Sequence, residues 1–320
     1  MKRVIFSVLL LSLVLAGCAT PAAEPTTVKL PMGYIPNIQF APFYVALEKG
    51  YFSEEGITLE FDYAFETDGI ALVGAGNTPF SLASGEQVLL ARAQGLPVTY
   101  VYGWYKEFPV ALVTTDPDIR TAADLKGKQI GLPGLYGATY IGLRALLSSA
   151  GLQESDVVLN SIGYTQIEAL SSGAEQSIMG YSTNEPIVLA AQGVPFTTIH
   201  VGDVVQLASN GIITNEQTMQ QNPTLVRGFI RAFNRGLADT VADPTAAYEI
   251  SKKYVEGLGE ADDQIQMGIL QRSIQSWNTE LMGASDGNSW ENMQTVLLEM
   301  GMLAEPQDLA SAFTNSFLEK

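Results

Sequence analysis

Twelve residues of this chain carry side chains suited to holding a flat, hydrogen-bonding ring: Tyr34, Asn37, Phe40, Glu86, Trp104, Tyr105, Tyr136, Thr139, Tyr140, Tyr181, Asn184 and Glu185. Planar heteroaromatic molecules need aromatic faces to stack on and a few directed partners along their edges. Tyrosine and tryptophan supply the faces, and an amide such as Asn37 presents a donor and an acceptor together. Each residue also has a purely structural reading. Tyr34 and Phe40 would serve equally in a core or at its rim. Glu86 could accept ring N–H groups or simply favour a helix N-terminus. Trp104 reads as a stacking wall or as a side chain buried between domains. Thr139 could cap a helix, and Thr67 or Asp68 is expected to cap a short one rather than touch a ligand.

Other chemistries find little support. His200 is the single histidine and Cys18 the single cysteine, so no His/Cys metal cluster can form. A Ser-His-Asp triad could use only His200, at a predicted strand end where a structural role is expected, and no G-x-S-x-G turn accompanies it. The stretch Pro133-Gly134-Leu135-Tyr136-Gly137-Ala138-Thr139-Tyr140 exposes backbone N–H groups ahead of a helix, ready to meet carbonyl, hydroxyl or anionic oxygens. It lacks the Gly-Lys-Ser/Thr ending of a phosphate loop. Lys106 and Arg144 are the cations of the candidate loops, and capture of a strong anion normally uses clustered arginines. A neutral ligand is therefore expected, with neither metal nor cofactor. The net charge of −17 repels nucleic acid and weakly disfavours anionic solutes.

The elements that must position these residues alternate. Strands are expected at 28–32, 57–63, 79–82, 97–102 and 111–115, with helices at 40–49, 69–74, 86–94 and 121–125 between and after them. A second series places strands at 129–132, 157–160, 177–181, 196–201 and 211–214, and helices at 139–150, 166–171 and 185–192. The chain then turns helical at 223–240, 244–254, 262–276 and 290–299, with Asp286 to Ser289 as a loop and cap before the last. Alternating β and α predicts parallel sheets covered by helices, an α/β fold in two lobes. In such lobes a cleft forms beyond the carboxyl ends of the strands, and the twelve residues follow strands in this order.

At the N-terminus, Lys2 and Arg3 precede an apolar run at 5–15 that is too short to span a bilayer. It reads as a signal peptide over residues 1–17. Leu15-Ala16-Gly17-Cys18 resembles the lipobox of bacterial lipoproteins, which implies acylation of Cys18. Residues 18–27, rich in Pro, Ala and Thr, read as a tether.

Three segments carry a wider resemblance. Tyr34-Ile35-Pro36-Asn37, followed by Ala46-Leu47-Glu48-Lys49-Gly50-Tyr51-Phe52-Ser53-Glu54-Glu55-Gly56-Ile57, resembles the opening of solute-binding proteins in the family named for thiamine-pyrimidine synthesis. There the pattern reads W-x-P-N … A-x-x-K-G-Y-F-x-x-x-G-L. Ala123-Asp124-Leu125-Lys126-Gly127-Lys128-Gln129-Ile130-Gly131 resembles the segment that enters the second lobe. Glu86-Gln87-Val88 with Ala91-Arg92-Ala93-Gln94-Gly95-Leu96-Pro97-Val98 looks like the thiamine-precursor and riboflavin-binding branch.

The resemblance implies a type II periplasmic-binding-protein fold, with lobe one at 28–115 plus 215–320 and lobe two at 116–214. It implies a monomeric, lipid-anchored, extracytoplasmic component of an ABC importer. That component would hand its cargo to a membrane permease and its ATPase, without catalysis. It further implies that the loop around Tyr136 lines the cleft and that Tyr181 and Glu185 stack on and pair with the ring. Tyr164 and Asn210 are secondary candidates. Riboflavin is the first expected ligand and a thiamine pyrimidine precursor the second. A sulfonate or nitrate binder, marked by anion-coordinating arginine or by a cluster of hydroxyls and N–H donors without stacked aromatics, and a pyrimidine-synthase-like enzyme using histidine and lysine-bound pyridoxal phosphate are the remaining alternatives.

Overall fold

The computed structural model describes residues 25–319. The expected signal peptide, Cys18 and the tether as far as Glu24 lie outside these residues. Thr26 and Thr27, expected at the end of the tether, are already part of the first strand, where they pair with Ile57 and Thr58. Their branched β-carbons suit an extended backbone, although both side chains are exposed.

Ten strands form among the described residues: β1 (Thr26–Gly33), β2 (Ile57–Phe65), β3 (Ser81–Ser84), β4 (Val98–Gly103), β5 (Val110–Thr114), β6 (Gln129–Leu132), β7 (Val158–Ser161), β8 (Ser177–Tyr181), β9 (Thr197–His200) and β10 (Asn210–Asn215). β1 runs parallel to β2. β10 lies antiparallel between β3 and β4. Side chains join the two groups: Thr78 Oγ1 donates to the Lys29 carbonyl at 2.7 Å and Ser81 Oγ to that of Pro31 at 3.2 Å. The second sheet runs β7-β6-β8-β5-β9, with β6 parallel to both its neighbours and β5 antiparallel to both of its own.

Each lobe thus receives one reversed strand through a crossing. Residues 104–109 carry the chain out and residues 201–209 bring it back. This corrects the expected lobe boundaries. β5 belongs to the second lobe and β10 to the first, so the lobe changes precede residues 115 and 214 by one strand each. A run such as Val110-Ala111-Leu112-Val113, buried on both faces, looks the same from sequence whichever sheet it joins.

The helix Pro223–Ala242 holds the first lobe together. Val226, Phe229, Ile230, Phe233 and Leu237 recur at helical spacing and are all buried. At Gly236 this helix approaches the helix Ala41–Glu48 so closely that an added Cβ would lie 2.2 Å from the Pro42 carbonyl oxygen. A second apolar cluster runs behind the cleft from Val88 and Tyr100 in the first lobe to Leu112, Ile141 and Leu146 in the second, and it ties the lobes at the back. Asn222, Asp243, Asp262 and Asp286 each cap a helix of the C-terminal region through their side chains. The helix after β2 departs from expectation. It begins at Glu66 with no intervening loop, capped by no side chain, so Thr67 and Asp68 sit inside its first turn rather than ahead of it. No described helix is long and apolar enough to cross a membrane.

Candidate functional site

The strand ends converge on one cleft between the lobes, with about 990 Å³ of empty space open to solvent. Its first-lobe wall is Tyr34 after β1, Phe40 in the turn that follows, and Glu66 with Thr67 after β2. Gln87 lies on the helix after β3, and Trp104 with Tyr105 on the outgoing crossing. Tyr136 and Thr139 after β6, Tyr164 and Gln166 after β7, and Tyr181, Asn184 and Glu185 at and after β8 form the second-lobe wall. Asn210 opens β10. Nine of the twelve expected residues therefore meet in one place.

Trp104 forms the floor and is only 3 % exposed. It stacks on Phe40 at 5.9 Å and on Trp277 at 5.9 Å, and it meets Phe43 edge-on at 5.6 Å. It packs in the core on one side and lines the cleft on the other. Its indole N–H is buried without a partner among the described residues. Tyr105 donates its hydroxyl to Gln39 Oε1 at 3.1 Å, and Thr183 from the second lobe reaches the same oxygen at 3.5 Å. At the mouth, aromatic rings of opposite lobes touch. Tyr34 meets Tyr164 edge-on at 4.7 Å, and Phe65 lies over Tyr164 at 6.3 Å and against Tyr136 at 6.5 Å.

The polar groups are amides and carboxyls. Tyr181 donates its hydroxyl to Asn210 Oδ1 at 3.0 Å. Glu185, 4 % exposed, accepts the Tyr181 backbone N–H at 2.7 Å. Burial pushes its carboxyl up to about 7 against the pull of those backbone donors. Glu66 accepts the Ser84 N–H at 2.6 Å and also touches Ser84 Oγ. The same Oγ touches Glu86 on its other side. Among the lining residues there is no lysine, arginine or histidine.

Three expected residues do not line the cleft. Asn37 spends its side chain accepting the Gln39 N–H at 2.9 Å, as the cap of a short 3-10 turn. Glu86 lies behind the wall with no exposure at all. Tyr140, one residue beyond Thr139, is rotated about 100° around the helix; its hydroxyl meets Glu154 and takes a bond from Arg144 at 2.8 Å. Thr139 lies within the helix Gly137–Ser149 and faces the cleft, and Tyr136 holds the capping position. His200 ends β9 outside the cleft. Sequence reasoning missed Gln39, Gln87, Gln166 and the role of Glu66. The missing loop between β2 and its helix is what turns Glu66 into the cleft, and no motif marks it.

The comparisons agree with this geometry. A family model described as NMT1/THI5 like matches residues 37–247. The chain is 39 % identical over 99 % of its length to a riboflavin-binding protein of Chloroflexus aurantiacus, covering 97 % of that protein. It is 27 % identical over 97 % of its length to a formylaminopyrimidine-binding protein of Halalkalibacterium halodurans, covering 98 % of it. It is 26 % identical over 91 % of its length to a 4-amino-5-hydroxymethyl-2-methylpyrimidine phosphate synthase of Legionella pneumophila, covering 92 % of it. Among solved structures, an alkanesulfonate-binding protein of Xanthomonas axonopodis superposes with a TM-score of 0.70 at 16 % identity, over 92 % of this chain and 99 % of that one. That likeness establishes the two-lobed periplasmic-binding fold.

Proposed function

The chain belongs to the NMT1/THI5-like family, and from that premise we propose that it is the extracytoplasmic solute-binding component of an ABC importer, with riboflavin as its cargo. One observation carries the reading. Seven aromatic side chains line a cleft that contains two glutamates and no cation: Tyr34, Phe40, Trp104, Tyr105, Tyr136, Tyr164 and Tyr181. Such a cleft rewards a neutral, flat, multi-ring molecule and rejects a phosphate or sulfonate, which needs arginine or lysine to replace its water. The riboflavin-binding relative supports the same cargo.

A thiamine pyrimidine precursor is the second reading, favoured by the formylaminopyrimidine-binding relative. A single pyrimidine ring would leave more of the aromatic wall uncovered. A sulfonate or nitrate cargo has only the shared fold behind it. An enzyme making the pyrimidine would need a histidine to consume and a lysine to hold pyridoxal phosphate, and neither residue type lines this cleft. The closed form, as a lipid-anchored monomer held through Cys18, would deliver its cargo to a permease driven by an ATPase.

Titration of riboflavin fluorescence by purified protein tests the proposal. An isoalloxazine stacked on tyrosine or tryptophan is expected to be strongly quenched, with no competition from flavin mononucleotide or taurine. Unchanged emission at micromolar concentrations, with binding of the pyrimidine instead, would hand the cleft to the second reading. Turnover of a pyridoxal phosphate substrate would revive the enzyme.

A further inference from the structure

We infer that Glu66, Ser84 and Glu86 form a proton-sharing pair of carboxyl groups in the cleft wall: Glu86 keeps a proton, and Glu66 faces the ligand as a lone acceptor for a hydroxyl or ring N–H. The selectivity half of this inference rests on the binding function proposed above; the proton-sharing half does not.

The argument is a count of hydrogens. Ser84 Oγ carries one hydrogen but touches an oxygen of each carboxyl. The Ser84 backbone N–H is already given to Glu66 at 2.6 Å. If both carboxyls were ionised, one of the two hydroxyl contacts would set lone pair against lone pair, beside a Glu86 with no exposure at all. The count closes when one carboxyl is protonated. Ser84 then donates to Glu66 and accepts from Glu86.

The surroundings choose Glu86 as the holder. Its second oxygen is buried with no partner among the described residues. An unpartnered oxygen on a neutral acid costs far less than one on a carboxylate. Glu66 has both Ser84 donors and a place on the cleft wall, where a ligand can satisfy it further. Phenols face the pair from the other elements: Tyr100 from β4, Tyr181 from β8 and Tyr164 from the turn after β7. Burial holds all three un-ionised, and no cation is among them. Burial, and then the charge of Glu66, push Glu86 up to about 8.

Glu66 therefore acts as a specificity residue and Glu86 as the residue that positions its charge. A ligand must bring a donor to that point of the wall; an acceptor or an anion meets a carboxylate. The pair also fixes the sign of two pH effects. The raised acid of Glu86 stabilises the fold fully at low pH, and that contribution is lost as pH rises from the ordinary carboxylate range through about 8. Ligand affinity falls above the same value, when two charges come to share one hydroxyl.

Infrared difference spectroscopy of the ligand-free full chain tests the pair without any ligand. In a Glu185→Gln background, which removes the raised carboxyl outside the Glu66–Glu86 pair, the protonated-carboxyl C=O band at pH 7 is expected to fade through about pH 8. It should be missing after Glu86→Gln. No such band, or one that survives Glu86→Gln, overturns the proposal. If Glu86→Gln does not fold, the pH course of the unsubstituted Glu86 protein decides alone. Riboflavin titrations then test selectivity. Affinity should fall roughly tenfold between pH 7 and pH 9, as the competent protonated fraction drops, and Glu86→Gln should remove that fall. A fall that persists in Glu86→Gln refutes the assignment. Failure to bind riboflavin at either pH refutes the cargo and leaves the infrared result to judge the pair.

Discussion

Gly180, which lines no part of the cleft, is expected to control affinity through Glu185. It sits buried in β8, and a Cβ added there would lie 2.6 Å from Glu185 Cδ, 2.8 Å from Oε2 and 3.0 Å from Cγ. These atoms are the far end of a flexible side chain, so Gly180→Ala should leave the β8 pairing with Ala111 intact and expel the carboxyl instead. Glu185 then loses the Tyr181 N–H at 2.7 Å and its place on the wall. A hydrogen bond to a charged group contributes about 1.5–3 kcal/mol. Loss of the bond that Glu185 would make to a donor on the ligand therefore predicts riboflavin binding weakened roughly 10- to 150-fold at pH 7. Stability should fall as well, by about 1–3 kcal/mol for the Tyr181 N–H left without its acceptor, a few degrees in midpoint for a chain of this size. Fluorescence titration measures the first effect and thermal unfolding the second. A double-mutant cycle with Glu185→Ala decides the route, because a residue acting only through Glu185 adds nothing once that side chain is gone. Affinity within twofold of the parent in Gly180→Ala, or additive losses in the cycle, would refute the reasoning.

Two other substitutions separate closure from folding. Phe65→Ala removes the ring that meets Tyr164 and Tyr136 across the mouth without lining the cleft. Each aromatic pair contributes about 0.5–1.5 kcal/mol, so stopped-flow release of riboflavin should be roughly tenfold faster with little change in association; an unchanged release rate would show that these rings do not hold the lobes together. Gly236→Ala should act oppositely, since its Cβ would meet the Pro42 carbonyl at 2.2 Å and the Ala46 backbone N at 2.9 Å. Backbone cannot step aside as a side chain can, so a loss of about 1–3 kcal/mol in stability is expected with affinity preserved at low temperature; a parental melting curve would contradict the packing described.

The fold was readable because its signals are local and repeated. Hydrophobic spacing at Val226, Phe229, Ile230, Phe233 and Leu237 announces a helix with one buried face, and Asp262 and Asp286 announce where helices begin. The sheet to which a strand belongs is not local information. Val110–Thr114 is buried on both faces, and its sequence reads the same in either lobe, so the pattern alone does not tell which sheet it joins. In the cleft the same division appears. Aromatic residues that follow strands were found because a stacking wall needs little beyond the right side chain in the right turn. The polar partners were not, because their roles turn on a single residue of phase. Thr139 faces the cleft and Tyr140 turns away; Glu66 faces it and Glu86 stands behind. Asn37 had the right chemistry, but the nearest orphan N–H, that of Gln39, took it first.

That phase sensitivity bears on how this cleft keeps its selectivity. With a net charge of −17 the chain weakly repels anions, and the wall has no cation to hold one that arrives. Acidic side chains in such a place would ordinarily repel even a neutral ligand's carbonyls. Burial limits this by lowering the charge at the cleft: it raises Glu86 behind the wall to about 8, Glu185 to about 7 and Glu66 as well, so near neutral pH the three carboxyls carry fewer than three charges. The remaining charge sits where a donor can meet it, on a floor of stacked rings that has no use for an ion. On the proposed cargo, discrimination between a neutral flavin and its phosphate would follow from what the wall cannot supply, a counter-charge, more than from any contact it makes with the ring.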